Sequence, residues 1–307
     1  MKNSGTVRRI LLYIFFAAAG VFCFSCGLET VIYVVEPTKT YNDPLYNSEE
    51  FLKWYCSFAT EEQANDSSDS SFTGTSVYYK IYNNTDELVS ERNSILAVNT
   101  SSNNSAAATR LLQTYTYQLL HYRQSEQYYT GKKSTPDLTI STANSNRNVI
   151  FRLKSYTGSE NYEDEVMENF RSCIKVNNYY WGYTDSGNFL RKDLVFVPEE
   201  TKETQIIPAY WKSGDEKLAI GTVDFAVPCR INGKSFDFFN DANITGSEFN
   251  VEPSYGEADY KHNDNPTSSD SYYVQLFAVG VAFDPQNLSD AYSLVLDLGS
   301  VPVTKGK

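Results

Sequence analysis

Two long apolar runs near the C-terminus, SYYVQLFAVGVAFDP and DAYSLVLDLGSVPV, constrain the fold of this chain more than any other feature. Both are rich in β-branched and aromatic residues, and a short proline-containing loop joins them, so a pair of central strands is expected. The composition agrees. Twenty-four Tyr and 18 Phe against 2 Met supply large flat surfaces that favour strands.

Earlier segments extend the pattern. Residues 30–36 (TVIYVVE) are expected to form a strand that Pro37 ends. In LKWYCSFAT the alternation puts Leu52, Trp54, Cys56 and Phe58 on one face of a strand, with a helix from Ser48 as the rival reading. EEQANDSSDSSFTG reads as a polar loop. Gly74 then leads into TSVYYKIYNN, where Val77, Tyr79 and Ile81 share one face and Tyr78, Lys80 and Tyr82 the other.

From residue 86 to about 129 the period becomes helical. Leu111, Leu112, Tyr115, Leu119 and Tyr122 recur at three-and-four spacing behind the cap-competent run SSNNSAAAT, and Gly131 and Pro136 close the segment. VIFRLKSY alternates as a strand. NYEDEVMENFRSCIK gathers Val166, Met167, Phe170, Cys173 and Ile174 on one side, with acids in a first turn of the right sign for the helix dipole. Helical insertions are therefore expected near 105–130 and 163–175. NNYYWGYTDSGNFLRKDLVFVP is expected to be a hairpin turning through Asp185, Ser186 and Gly187. KLAIGTVDFAVPCRING offers one or two strands with a turn at Asn232 and Gly233. Residues 239–270, acidic and rich in Asn, Pro and Ser, read as an exposed loop.

The other end of the chain speaks to location. Lys2, Arg8 and Arg9 precede fifteen apolar or small residues from Ile10 to Phe24. That is shorter than the ~20 residues a membrane-spanning helix needs, and the charge-then-apolar order is that of a secretory signal. The end of this run, with Ser25 before Cys26, resembles the bacterial lipoprotein signal, in which the cysteine thiol is alkylated by diacylglycerol and the chain is cut just before it. Cys23 is the poorer choice because bulky Phe22 would sit at the cut. The rival readings are an ordinary signal with an incidental cysteine and an uncut anchor. Gly27 follows Cys26, so an Asp-type inner-membrane retention signal is absent. The expectation is a signal peptide over 1–25, a lipidated N-terminus over 26–29 and one body over 30–307.

Charge narrows the partners. The whole chain carries −12, and loss of residues 1–25 would remove three positive and no negative charges, leaving −15. Such a body repels phosphate backbones, which argues against nucleic acid. Beyond Cys26 the remaining cysteines are Cys56, Cys173 and Cys229, an odd number that allows at most one bridge among them. Among these three no CxxC pair or Cys/His cluster occurs, so no structural zinc and no other metal site is expected.

The YYKIYN strand, the VQLFAVGVAFDP and LDLGS ending, and a first strand near the modified cysteine resemble spirochaete-type lipoproteins of unknown function. The resemblance covers about a third of the chain in scattered pieces. It implies a mainly β fold, an elaborated fibronectin type III-like or immunoglobulin-like sandwich with helical insertions. Two small sandwich domains are the alternative. The resemblance carries no active site, so no functional residue is transferred from it.

The search for chemistry is mostly empty. The two histidines are His121, beside the helical stripe, and His262, in the polar stretch YKHNDNP; both read as ordinary satisfied or surface residues. No G-x-S-x-G, HExxH, P-loop or GxGxxG is present. Thirty-eight acids make carboxylate pairs uninformative, and HNDNPTSSD lacks the glycine turn and the bidentate acid at the offset a calcium loop needs. The Asn-X-Ser/Thr triplets near Asn84 and Asn287 are read as composition only.

One cluster could recognise something. Tyr179, Tyr180, Trp181 and Tyr183 crowd one arm of the expected hairpin, where exposed rings would suit sugars or a protein hot spot and covered rings would be core. The expected function is a lipid-anchored, non-catalytic protein of the bacterial cell envelope with a structural or interaction role and no cofactor. It is held to the membrane by its lipid and carries a protein or glycan ligand. A carbohydrate-binding or glycan-acting surface protein using the Tyr/Trp hairpin is the alternative.

Overall fold

The sheet built by the two C-terminal runs organises the molecule. In the computed structural model, Ser271–Asp284 pairs antiparallel with Ser289–Thr304 on one side and with Phe72–Tyr82 on the other. Residues 32–40, 55–65, 72–124, 139–140, 148–153, 172–176, 179–183, 189–191, 194–196, 209–213, 216–218, 226–231, 233–236, 238 and 251–305 are described. Phe72–Tyr82 carries three short partners along its outer edge: Gln118–Leu119 and Thr139–Ile140 antiparallel, and Tyr260–Lys261 parallel. Ser271–Asp284 is thus central as expected, whereas Ser289–Thr304 lies at the sheet edge.

Both faces of this sheet are covered, which is why its strands are apolar at consecutive positions. Val77, Tyr79, Ile81, Val274, Leu276, Ala278, Leu298, Val301 and Val303 join one core with Cys56, Phe58, Val149 and Ile174. Those last four stand on a second sheet, ordered Thr38–Lys39, Tyr55–Ala59, Asn148–Arg152, Cys173–Val176, Tyr179–Tyr183, Phe189–Arg191. On the opposite face Tyr78, Tyr82, Phe277, Val279 and Val295 meet helical residues Leu88, Ile95, Ala107, Ala108 and Leu111. The two-face split read from VYYKIYN is the one observed. Layers of this kind are the usual way to bury both sides of a sheet. The compact unit comprises Tyr33–Lys307.

The helical layer departs from expectation. Thr85–Leu96 is capped by Asn84, whose side-chain oxygen accepts from the amides of Asp86 and Glu87. A second helix, Asn104–Thr109, passes into one π-helical turn, Arg110–Thr114, and stops. Thr116 is left-handed (φ 54°), and from there the chain extends as Gln118–Leu119 and His121–Gln124. The continuous helix expected near 105–130 is therefore wrong over residues 115–124; residues 125–130 lie outside the described residues. The edge of Phe72–Tyr82 takes Gln118–Leu119 as a partner, and that pairing buries Leu120, a residue off the helical stripe. Likewise Cys173–Val176, assigned to a helix near 163–175, is a strand between Asn148–Arg152 and Tyr179–Tyr183; residues 163–171 lie outside the described residues. In the stretch read as a polar loop, Glu62–Asn65 forms one helical turn.

Residues 33–36 do not form the expected strand either. Val34 is buried, and the backbone of Val35 is paired by a side chain: its amide donates to Asn65 Oδ1 at 2.8 Å, and Asn65 Nδ2 donates to its carbonyl at 3.1 Å. Pairing with the second sheet begins only at Thr38–Lys39. The segment crosses Gly280, where a Cβ would lie 3.0 Å from Val34 Cγ1 and 3.1 Å from the Val35 carbonyl oxygen. Glycine is needed there for close approach. The ladder is irregular at this point, and the Gly280 amide donates to Ser293 Oγ at 2.8 Å.

Candidate functional site

The expected recognition residues divide by what is described. Cys26 lies outside the described residues. Tyr179, Tyr180, Trp181 and Tyr183 stand on Tyr179–Tyr183, which pairs with Phe189–Arg191 as the hairpin reading required. Their side chains and the turn at Asp185, Ser186 and Gly187 lie outside the described part. Cys56 and Cys229 are buried thiols, the first 3.8 Å from the Leu298 carbonyl. His121 sits on a strand opposite Cys229, not on a helix.

The best-defined polar constellation falls where an exposed acidic loop was expected. Ala226–Cys229 leads into a turn in which the Gly233 amide donates to the Arg230 carbonyl at 2.9 Å, as the Asn232-Gly233 signal predicts. That turn drives Arg230 into the interior at 1% exposure, opposite Asp259, also 1% exposed. The guanidinium clasps Asp259 with two bonds of 2.8 Å and also reaches Glu257 Oε2 and the Val251 carbonyl. Lys234 takes the other oxygen of Glu257. Tyr79 donates to Asp259 Oδ2 at 2.7 Å and accepts from the Ile231 amide at 2.9 Å.

Two cations face two anions, so the cluster is neutral, and these bonds engage every oxygen of both carboxylates. Burial alone would lower the Arg230 pKa, but the hydrogen bonds and charges of Asp259 and Glu257 raise it above its usual value. Burial pushes the Glu257 carboxyl up, and the bonds from Lys234 and Arg230 outweigh it and hold it below the usual range. Burial, then the Asp259 charge, keeps the Tyr79 phenol protonated well past its ordinary range. A saturated neutral cluster is a structural clamp. Removing one member of such a buried pair costs about 3–5 kcal/mol.

The clamp holds a surface feature. Residues 254–257 form a turn in which the Glu257 amide donates to the Ser254 carbonyl at 3.1 Å and Gly256 has φ 88°. This is the signature of a type II turn, whose third position requires glycine and whose second presents its side chain outward. That second position is Tyr255, 85% exposed. Glu257, the last residue of the turn, is the one fixed by Arg230 and Lys234.

Beside Tyr255 opens a cleft of about 530 Å³ lined by Tyr255, His262, Asn263, Asp264 and Asn265. Its other wall is pinned from behind as well. Asn83 Nδ2 donates to the Asn263 carbonyl at 2.7 Å, and the Asn263 amide returns a bond of 2.9 Å to Asn83 Oδ1. Asn84 Nδ2 donates to the Asn265 carbonyl at 2.7 Å. The His262 ring lies between the Tyr255 and Tyr260 rings, 5.4 and 5.8 Å away and steeply inclined to both. Its Nδ1 faces the Tyr260 hydroxyl and its Nε2 faces Asp264, each at 3.2 Å.

With a partner on each ring nitrogen, the His262 imidazole is held in one orientation at the mouth of the cleft. Among the described residues no three His, Cys, Asp or Glu side chains are grouped to hold a metal ion. Sequence reasoning missed this site because its parts are separated: Asp259 and Tyr79 lie 180 residues apart, as do Asn83 and Asn263. The one local signal was glycine after an exposed tyrosine in a polar stretch. Comparison with known protein families, with curated proteins and with solved structures finds no match for this chain.

Proposed function

We propose that this protein is a lipid-anchored, non-catalytic binding module of the bacterial cell envelope. The observation that carries the reading is the stretch RRILLYIFFAAAGVFCFSCG, with a basic start, a short apolar run and a small residue before Cys26. Two or three acyl chains on that cysteine would hold the acidic body at a bilayer effectively permanently, since each buried methylene contributes roughly 0.8 kcal/mol. Among the described residues no helix is long and apolar enough to cross a membrane.

The body is an elaborated fibronectin type III-like or immunoglobulin-like sandwich on this reading. It is supported by two antiparallel sheets that share one core of Cys56, Phe58, Tyr79, Leu276 and Leu298. A binding role is supported by the cleft at Tyr255, whose walls are immobilised while its polar groups face solvent.

The test is fractionation of cells expressing the full chain, with radiolabelled fatty acid supplied. The expected result is label and membrane partitioning in the parent and neither in Cys26→Ser. Equal partitioning of the two would overturn the anchor.

A further inference from the structure

We infer that the Tyr255 cleft is a saccharide site that selects uncharged sugars, with the Tyr255 ring as its stacking platform. The inference rests on the reading of the body as a binding module. Its first support is an exposed aromatic that packing does not explain. Tyr255 is the most exposed of the large apolar side chains in the described fold, yet it stands on a turn that is anchored to the core. Glu257 fixes that turn through Arg230 and Lys234, and its Oε2 also accepts from the Ser254 amide at 3.2 Å. A ring carried on a backbone fixed before its ligand arrives leaves less to order on binding, and this is the advantage of preorganisation. A flat ring presented this way fits the apolar C–H face of a pyranose.

The second support is the chemistry around the ring. Asp264 offers carboxylate oxygens at the rim, and its side chain is 96% exposed even while touching His262. Asn265 contributes its backbone carbonyl to Asn84, and none of the hydrogen bonds above uses its side-chain amide. Acceptors and donors placed beside an aromatic platform suit vicinal hydroxyls, each of which gives and takes a hydrogen bond. Among the described lining residues Tyr255 alone offers an apolar ring, which is too little for an apolar peptide anchor or an acyl chain.

The third support is charge. Among the described residues no Lys or Arg lines the cleft, Asp264 does, and the chain carries −12 overall. Phosphorylated, sulfated or uronate ligands would meet an unmatched negative field. Neutral hexose or N-acetylhexosamine oligomers are therefore the class that fits.

Calorimetric titration of the full chain in detergent micelles tests this with four probes: cellotetraose, maltotetraose, chitotetraose and tetragalacturonate. Binding of at least one neutral oligomer is expected, with tetragalacturonate at least tenfold weaker. Tyr255→Ala should weaken the neutral ligand about tenfold, the loss typical of truncating an aromatic anchor, and Asp264→Ala should weaken it several-fold. Neither residue is in the core, so unfolding does not confuse the result. Failure of all four probes, preference for the uronate, or affinity unchanged in Tyr255→Ala overturns the site. Loss of binding in Trp181→Ala with Tyr255→Ala unaffected would assign sugar binding to the other aromatic cluster and also overturn it. Detergent removes any dependence on the anchor, so a failed Cys26 fractionation and a failed titration are separate results.

Discussion

Arg230 and Glu257 show how a single side chain can govern a loop it does not belong to. The guanidinium lies in the core only because Asp259 and Glu257 neutralise it, and Glu257 in turn ends the turn that presents Tyr255. This gives a pH signature with a definite sign. Bonds from Lys234 and Arg230 depress the folded pKa of Glu257 below the unfolded value of about 4.3. Its contribution is therefore complete above that value and disappears as pH falls through the folded pKa. Glu257→Gln should be less stable than the parent at pH 7, and the gap should close as pH is lowered toward 3. Urea midpoints measured across that range check it, and parallel curves would remove Glu257 from the clamp. At this scale the alternation in VYYKIYN was legible, because facing is set locally by the period of two. The Arg230–Asp259 pair was not: a charge does not name its partner, and residues 239–270 carry several acids that look alike in sequence.

Elements were readable where a single period ran unopposed and misread where an edge needed partners. The long C-terminal strands and the Tyr179 hairpin follow directly from their residues. The stripe Leu111, Leu112, Tyr115, Leu119, Tyr122 has helical spacing, yet only its first part is helical. Helix propensity differs among ordinary residues by less than about 1 kcal/mol, and unpaired backbone at a sheet edge outweighs it. The 33–36 segment shows the converse, a strand-like sequence whose hydrogen bonds are supplied by Asn65. Gly280 makes this crossing possible. Gly280→Ala would put a methyl group against Val34 and the Val35 carbonyl, and overpacking of this kind costs about 1–3 kcal/mol. A lowered Tm together with faster amide exchange at Val35 is expected. An unchanged Tm would mean that the segment does not pack on the sheet in solution.

Across the whole molecule, tyrosine links the layers. Tyr79 ties the sheet to the Arg230 clamp. Tyr82 bridges Glu91 and the Tyr117 hydroxyl at 2.8 and 2.9 Å on the helical side, where buried Lys80 pairs with Glu91 at 3.0 Å. Burial first raises the phenol pKa of all three; the Asp259 charge adds to it at Tyr79, and Tyr117 followed by Glu91 adds to it at Tyr82. Groups whose folded pKa is raised contribute stability that is complete below the unfolded value of about 10 and lost as pH climbs beyond it. Spectrophotometric titration should therefore show exposed tyrosines ionising near pH 10 and a second, cooperative set ionising only as the fold is lost. A single non-cooperative titration of all 24 would contradict the observed burial. What the amino-acid sequence determined by itself was the β class and the two-faced strand, because local period depends on neighbours along the chain. Which acids close on Arg230, where the helical stripe stops and why the turn carrying Tyr255 is fixed beside a cleft were decided by tertiary structure. Each depends on residues far apart in the chain competing for the same buried polar group or sheet edge.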